Sequence, residues 1–250
     1  MLACGRMSTE NIRANLERVR ERIARAAERA GRRPSDVLLI GVSKTVDIDR
    51  IREAIDAGVP ALGENRVQEA KAKIAALGRP VPWHLIGHLQ TNKVKDALPL
   101  VRTEAGGFDK SGVRDIDPLF DVIHSLDRFA LAEAIEKRLA ETRRVVDTMV
   151  EVNLAAESSK SGIAPDALPA LLDGLVGLPH VRVRGLMAIP PAGAPGDARQ
   201  WFRALRKLAE AHGLSELSMG MSADFEIAIE EGATVVRVGT AIFGARAAAA

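Results

Sequence analysis

The sequence predicts an α/β fold in which eight parallel strands close into a single-domain (β/α)8 TIM barrel. The first observation is alternation, because short apolar runs are followed by segments with helical periodicity, with Gly, Asn or Asp at the joints. The second is that the runs are almost continuously apolar, as in parallel strands covered on both faces. The third is that eight such runs in roughly 210 residues match the usual size of the barrel.

An open, doubly wound sheet is the alternative fold for the same alternation of strands and helices. The chain contains no GxGxxG after a predicted strand and no GxxxxGK[ST]. These are the usual nucleotide-binding motifs of open sheets, so their absence favours the closed barrel.

The elements follow in order along the chain. An amphipathic helix over residues 8–30 precedes the first strand. The eight strands are predicted at 37–44, 61–65, 81–87, 121–127, 147–154, 181–189, 214–220 and 235–244. The further helices are predicted at 47–57, 66–77, 92–98, 128–141, 165–176, 197–212 and 223–231. Residues 1–7 are expected to be disordered, residues 8–250 to form one domain, and residues 101–118 to be a surface insertion.

Composition excludes several classes of function. Lys+Arg 35 against Asp+Glu 33 leaves a formal charge of +2, too balanced for a nucleic-acid-binding surface. The single cysteine, Cys4, excludes a disulfide framework and is typical of a reducing compartment, so we expect a cytoplasmic protein. There is no run of eighteen apolar residues, so no membrane span is expected.

The carboxyl ends of the strands are where such barrels collect their chemistry. The predicted strand ends are Lys44, Asn65, Gly87, Asp127, Asn153, Met187, Gly220 and Gly239. Lys44 is the one candidate nucleophile among them. It either marks the point where a buried strand meets solvent or presents a desolvated amine to a carbonyl carbon.

The last two strand ends predict an anion site. Gly220 is followed by Ser222, which is predicted to cap the next helix, and Gly239 is followed by Thr240. Glycines let backbone N–H groups approach an anion, hydroxyl groups add donors, and loops seven and eight often bind phosphate in these barrels. The alternative is an ordinary serine cap and a glycine turn. With Lys44, the two motifs fit a phosphate-bearing carbonyl compound held as a lysine Schiff base.

At this point the sequence resembles the pyridoxal phosphate homeostasis proteins, single-barrel relatives of the alanine racemase barrel. The resemblance runs from Ile12 to Arg246, and the segments that carry it are "GVSKT", "LGENRVQE", "WHLIGHLQTNK", "SLDR", "SSKSGI", "GLMAI", "LSMGMSADFEIAIEEGAT" and "RVGTAIFG". The resemblance implies a protein that binds pyridoxal 5'-phosphate (PLP) and buffers or delivers it without substantial turnover.

The resemblance also assigns roles to residues. Lys44 would form the Schiff base with PLP, and Ser222, Gly239 and Thr240 would hold the phosphate. Asn65 would position the ring hydroxyl. Met187 and Met221 either line the pocket or pack in the core. The family often has tyrosine where this chain has Arg66, so no ring contact is expected from that position.

Arg237 lies two residues before Gly239, so strand alternation places both on the inner side of the eighth strand. It either forms a salt bridge inside the barrel or faces the pyridine nitrogen of PLP. In the second case the nitrogen stays unprotonated, because arginine is always charged, and the ring is then a weak electron sink.

His84 and His88 are four residues apart but straddle a predicted strand end, and no metal site is expected. As partners we expect PLP and transient contacts with PLP-dependent enzymes, no nucleic acid or membrane, and a monomeric chain.

The alternative function is a PLP-dependent amino-acid racemase with weak activity. In alanine racemase the second base is a tyrosine from another domain. This chain contains no tyrosine, which argues against strong racemisation.

Overall fold

The structure is a computed structural model that describes residues 11–99, 119–140, 142–157, 160–191, 193 and 195–244. Eight strands form a closed, entirely parallel barrel in sequence order, and the first strand pairs with the last. The strands are β1 Leu38–Val42, β2 Ala61–Glu64, β3 Trp83–Leu85, β4 Val122–Leu126, β5 Val146–Glu151, β6 Val181–Met187, β7 Glu216–Ser218 and β8 Val235–Val238. The predicted closed barrel is confirmed.

Nine α-helices occur in the described part of the chain. They are α1 Ile12–Arg29, α2 Ile48–Asp56, α3 Val67–Leu77, α4 Val94–Ala97, α5 Phe129–Leu139, α6 Leu168–Leu175, α7 Ala198–Ala211, α8 Phe225–Glu230 and α9 Thr240–Phe243. No helix among the described residues is both long and apolar enough to cross a membrane.

The main disagreement with the predicted elements concerns the last strand, which was predicted to run from 235 to 244. The strand ends at Val238, and the short helix α9 follows. The run "TAIF" is apolar in either conformation, so its composition did not separate strand from helix.

Two predicted features, the disordered segment 1–7 and the insertion 101–118, lie wholly outside the described residues. The predicted first helix begins at Ile12, where the side chain of Asn11 caps it by accepting a hydrogen bond from the backbone N–H of Ala14.

The buried apolar side chains form two layers. The outer layer lies between the strands and the surrounding helices and includes Trp83, Phe120, Phe202 and Phe225. The inner layer fills the barrel and consists of Ile40, Val42, Ala61, Ile86, Met149, Met187 and Val235. Burying each large side chain stabilises the fold by about 1.5–3 kcal/mol, and the filled interior leaves the rim for chemistry.

Helix α1 fastens the elements that follow the last two strands. Asn15 Nδ2 donates to the carbonyl of Ile242 in α9 at 2.9 Å, and Arg22 pairs with Glu226 of α8 at 2.8 Å. The helix that precedes the barrel therefore holds the two short helices next to loops seven and eight.

Candidate functional site

Lys44 lies in a turn at the carboxyl end of β1, half-buried at the rim of the barrel. The next residue, Thr45, has a φ of +60°, which is the left-handed region that a non-glycine residue rarely adopts. Such a conformation costs about 1–2 kcal/mol, so the surrounding contacts must hold the turn in place.

Ser222 does not cap helix α8, contrary to the sequence prediction. Asp224 precedes that helix, and its Oδ1 accepts a hydrogen bond from the N–H of Met221 at 2.6 Å. The Ser222 hydroxyl instead crosses to the next loop, where its oxygen accepts from the N–H groups of Gly239 at 3.2 Å and Ala241 at 3.4 Å. The loop after β7 (loop seven) and the loop after β8 (loop eight) are therefore joined by the Ser222 hydroxyl, which accepts hydrogen bonds from two backbone N–H groups.

These donors lie beside β1, the strand that precedes Lys44. A Cβ built on Gly239 would come within 3.4 Å of the carbonyl oxygen of Val42, the last residue of β1. Thr240 follows as the first, exposed residue of α9. The structure thus brings Ser222, Gly239 and Thr240 to the seam between β8 and β1, on the same rim as Lys44.

Arg237 points into the barrel, as the strand alternation predicts, and is almost completely buried. Its Nη1 donates to Ser218 Oγ at 2.6 Å and its Nη2 to the carbonyl of Ala188 at 3.0 Å. Both of these partners are neutral oxygen atoms, and no ion pair of Arg237 within 4 Å is found among the described residues, although the charges of Glu151 and Asp224 act on it from farther away. Burial lowers the pKa of Arg237 to about 10, so the group is still charged at neutral pH.

Behind Arg237 a chain of polar side chains crosses the barrel. His124 Nδ1 lies 2.9 Å from Ser218 Oγ, and His124 Nε2 lies 2.8 Å from His84 Nδ1. Burial lowers the pKa of His84 to about 4 and that of His124 well below its usual value, so both rings are neutral. Arg237 donates to Ser218, and the directions of the two His124 contacts are set by the tautomer of its neutral ring.

Asn65 directly follows β2 and is half-buried, and its Oδ1 is buried with no hydrogen-bond partner among the described residues. The next loop presses against it, because a Cβ on Gly87 would lie 2.4 Å from the Asn65 carbonyl oxygen. Only glycine permits this approach. The backbone of Asn65 is therefore closely packed, and its side-chain oxygen has unused hydrogen-bonding capacity.

The two methionines lie in different environments. Met187 ends β6 and belongs to the inner apolar layer of the barrel. Met221 is 38% exposed at the start of loop seven. Met187 can therefore form only the floor beneath a ligand, whereas Met221 can cover one from the rim.

Glu151, at the end of β5, is a buried carboxyl group that the sequence prediction missed. It pairs in register with Met187, and its Oε2 has no hydrogen-bond partner among the described residues. Burial, with a smaller effect of Asp127, raises the pKa of Glu151 to about 7, against the opposing charge of Arg237. One signal in the sequence could have identified it. Glu151 lies two residues after Met149, an inner-layer residue, so strand alternation places both side chains inside the barrel.

Lys73 is a second residue that sequence reasoning missed. It lies on α3 and is buried, with Nζ within 2.7 Å of the carboxylates of both Glu64 and Glu69. Burial raises the pKa of Glu64. Burial acts in the same sense on Glu69, which is partly exposed, but hydrogen bonds from Lys73 and Thr45 outweigh it and lower that pKa.

No group of three or more His, Cys, Asp or Glu side chains suited to a metal ion occurs among the described residues. The two histidines considered for such a site point in different directions. His84 points inward to His124, whereas His88 Nδ1 lies 3.2 Å from Asp127.

The residues at this rim fit a phosphorylated aromatic aldehyde. Hydroxyl and backbone N–H donors at the β8–β1 seam suit a phosphate, and Lys44 supplies an amine. The buried Asn65 oxygen suits a ring hydroxyl, and the Arg237 guanidinium suits an unprotonated ring nitrogen. PLP carries all four matching groups: a phosphate, an aldehyde, a ring hydroxyl and a ring nitrogen.

Comparisons with known proteins point to the same chemistry. The profile of the family described as "Alanine racemase, N-terminal domain" matches residues 10–247. A protein from Aquifex aeolicus named "Pyridoxal phosphate homeostasis protein" is 45% identical over 244 residues, which cover 94% of this chain and 99% of the relative. A protein of the same name from Pseudomonas aeruginosa is 43% identical, with 96% of this chain and 97% of the relative covered.

A solved structure is similar as well. PipY of Synechococcus elongatus PCC7942, in a structure with PLP bound, is 37% identical to this chain and superimposes with a TM-score of 0.76. The match covers 93% of this chain and 100% of PipY.

Proposed function

This chain belongs to the pyridoxal phosphate homeostasis protein family, and from that membership we propose that it binds PLP at the carboxyl-terminal rim of its barrel. One observation supports this most directly: Lys44, the Ser222–Gly239 donor group and the Arg237 guanidinium lie on the ends of β1 and β8, two paired strands, and of β7 beside them. The protein buffers the cofactor or delivers it to PLP-dependent enzymes, in the cytoplasm, as a monomer and without substantial turnover of its own.

Lys44 is the covalent anchor in this proposal. Its neutral amine forms a C=N bond to the aldehyde carbon, and the carbonyl oxygen leaves as water with both amine protons. The rigid turn after β1 presents the amine at the rim, next to the phosphate donors.

The other residues orient the cofactor. Ser222 and Thr240 donate their hydroxyl groups to the phosphate, Gly239 lets the phosphate approach the backbone closely, and Asn65 accepts a hydrogen bond from the ring hydroxyl. Met187 forms the floor of the site, and Met221 covers the ring from the rim.

In this proposal, Arg237 is the residue that keeps the bound cofactor from supporting substantial catalytic turnover. When bound, PLP supplies an aldehyde and a pyridine ring that withdraws electrons best when its nitrogen is protonated. Arg237 stays charged at neutral pH and is held by Ser218 and Ala188, so it donates to the nitrogen and does not accept a proton from it. The ring then withdraws electrons weakly, which suits storage rather than carbanion chemistry.

The test of this proposal is the position of the covalent bond. The purified protein loaded with PLP should show a visible absorption band, and borohydride reduction followed by peptide mass spectrometry should place the cofactor on Lys44. Lys44→Ala should lose the adduct while keeping some PLP through its phosphate.

Lys160 is the informative competitor in this experiment. Its Nζ bonds Glu157 at 3.0 Å and the carbonyl of Pro190 at 3.1 Å, at the same end of the barrel. Recovery of the reduced cofactor on Lys160 instead of Lys44 would contradict the proposed site.

An amino-acid racemase is the second candidate function, favoured by the match to the alanine racemase N-terminal domain. The chain has no tyrosine to act as a second base, and His84, a possible substitute, is buried and bonded to His124. Incubation with L-alanine and other amino acids should therefore give no racemisation or transamination near the ~1–1000 s⁻¹ usual for enzymes. Turnover in that range, abolished by Lys44→Ala, would favour the racemase.

A further inference from the structure

Both peptide groups that flank Lys44 are held by one buried ion cluster, formed by Lys73, Glu64 and Glu69. The carbonyl of Ser43 accepts a hydrogen bond from Lys73 Nζ at 2.6 Å. The N–H of Thr45 donates to Glu69 Oε1 at 2.5 Å. The chain is thus fixed immediately before and immediately after the lysine that the proposed function assigns to covalent attachment.

The cluster connects three elements of the barrel. Glu64 ends β2, and Glu69 and Lys73 lie one turn apart on α3. The Lys73 ammonium group has three hydrogen-bond partners, namely Ser43 O, Glu64 Oε1 and Glu69 Oε1, which match its three donors. Ser43 Oγ also donates to Glu64 Oε1 at 2.6 Å. The cluster therefore ties the turn after β1 to β2 and α3.

Stability alone is a poor explanation for this cluster. The Lys73 side chain is 7% exposed and that of Glu64 is fully buried. Removing such charges from water costs several kcal/mol for each ion, and apolar replacements of a buried ion pair are often neutral or stabilising. A retained buried pair is better explained by what it positions, and here it holds a turn in which Thr45 has an unfavourable left-handed conformation.

We propose that Lys73, together with Glu64 and Glu69, is a positioning group for Lys44. This cluster sets the distance between the Lys44 amine and the aldehyde of a bound ligand. The phosphate of that ligand is held separately, at Ser222, Gly239 and Thr240. The inference rests on the proposed function. Covalent bond formation requires close alignment of the amine and the aldehyde, and a misplacement of 1 Å can slow such a reaction about 100-fold. Phosphate binding at another loop does not depend on this turn.

The experiment uses three ligands that separate attachment from phosphate binding. PLP has the aldehyde and the phosphate, pyridoxal has only the aldehyde, and pyridoxine 5'-phosphate has the phosphate but an alcohol in place of the aldehyde. Lys73→Met should bind PLP and pyridoxal roughly 10-fold more weakly, because Lys44 is displaced. Its affinity for pyridoxine 5'-phosphate should stay within about twofold of wild type.

Lys71→Met is the matched control, because Lys71 lies on the same helix, is exposed, and its loss changes the charge equally. It should bind all three ligands like wild type. Since removing Lys73 leaves buried Glu64 unpaired and can prevent folding, Glu69→Ala is the second variant. It removes the acceptor of the Thr45 N–H from a partly exposed position and should give the same ligand pattern.

The inference is overturned if Lys73→Met and Glu69→Ala bind PLP as Lys71→Met does, or if they weaken all three ligands equally, since either result leaves no specific effect on the aldehyde. Failure of the proposed function is seen separately, in the wild-type protein: it would form no adduct at Lys44 on borohydride reduction.

Discussion

Replacing Ser222 with alanine should weaken PLP binding by roughly 10-fold to 150-fold. The substitution removes the hydroxyl that links loops seven and eight, whose oxygen lies among the N–H groups of Gly239 and Ala241. A hydrogen bond to a charged group contributes about 1.5–3 kcal/mol, and about 1.4 kcal/mol is a factor of ten in affinity. Thr240→Ala should act in the same direction. Titration with PLP, followed by absorbance, measures both effects.

Pyridoxal provides the control, because it keeps the aldehyde and lacks the phosphate. Its binding should change little in Ser222→Ala and Thr240→Ala. Arg237→Ala should behave differently, shifting the spectrum of the bound cofactor through the ring nitrogen while the preference for PLP over pyridoxal remains. If both hydroxyl variants bind PLP as wild type does, the phosphate lies elsewhere on the barrel, even if Lys44 is the correct anchor.

Most strands could be predicted from the sequence because they are short, largely apolar runs with a polar residue or glycine at the end. The eighth strand was predicted six residues too long, because "TAIF" has no polar alternation to separate a strand from a helical turn. The third was predicted as 81–87 but spans Trp83–Leu85. Its predicted start contains Pro82, which has no backbone N–H for a strand ladder.

Most of the predicted site residues end predicted strands or lie one or two residues after a glycine at a strand end, whereas Arg237 was identified from strand alternation. His124 and Lys73 have neither property, and Ser218, which ends β7, was missed because the predicted seventh strand ran on to Gly220. His124 and Ser218 are 94 positions apart and meet only because the barrel closes. Glu69 and Lys73 have the spacing of an ordinary exposed helical ion pair. Nothing local shows that α3 turns this pair toward the β1 turn, since that depends on how the helix packs on the barrel.

The second large effect is expected from Glu151→Gln in the cofactor-free protein. The pKa of Glu151 is about 7 in the folded protein and near 4.5 in an unfolded chain. The folded state therefore holds a proton that the unfolded state has lost, and the stability that this contributes is present below about pH 4.5 and lost as pH rises through about 7. Each pKa unit corresponds to about 1.4 kcal/mol, so wild type should lose roughly 2–3 kcal/mol from this group between pH 5 and pH 8.

Glutamine cannot ionise, so Glu151→Gln should gain stability relative to wild type by that amount over the same interval. Urea unfolding of both proteins at pH 5, 6, 7 and 8 measures the difference, and comparison of the two cancels the contributions of the other titrating groups. Glu133→Gln, an exposed position on α5, is the control and should show no such trend.

The result also bears on the charge of the site. A protonated Glu151 removes the larger of the two carboxylate charges that act on Arg237, the other being that of Asp224, and this favours the proposed contact with an unprotonated ring nitrogen. An ionised Glu151 would attract the guanidinium and compete for it. A stability difference between Glu151→Gln and wild type that does not change with pH would mean that Glu151 is already charged at pH 5. Arg237 would then face a carboxylate within the barrel, and its assignment to the cofactor ring would lose its electrostatic basis.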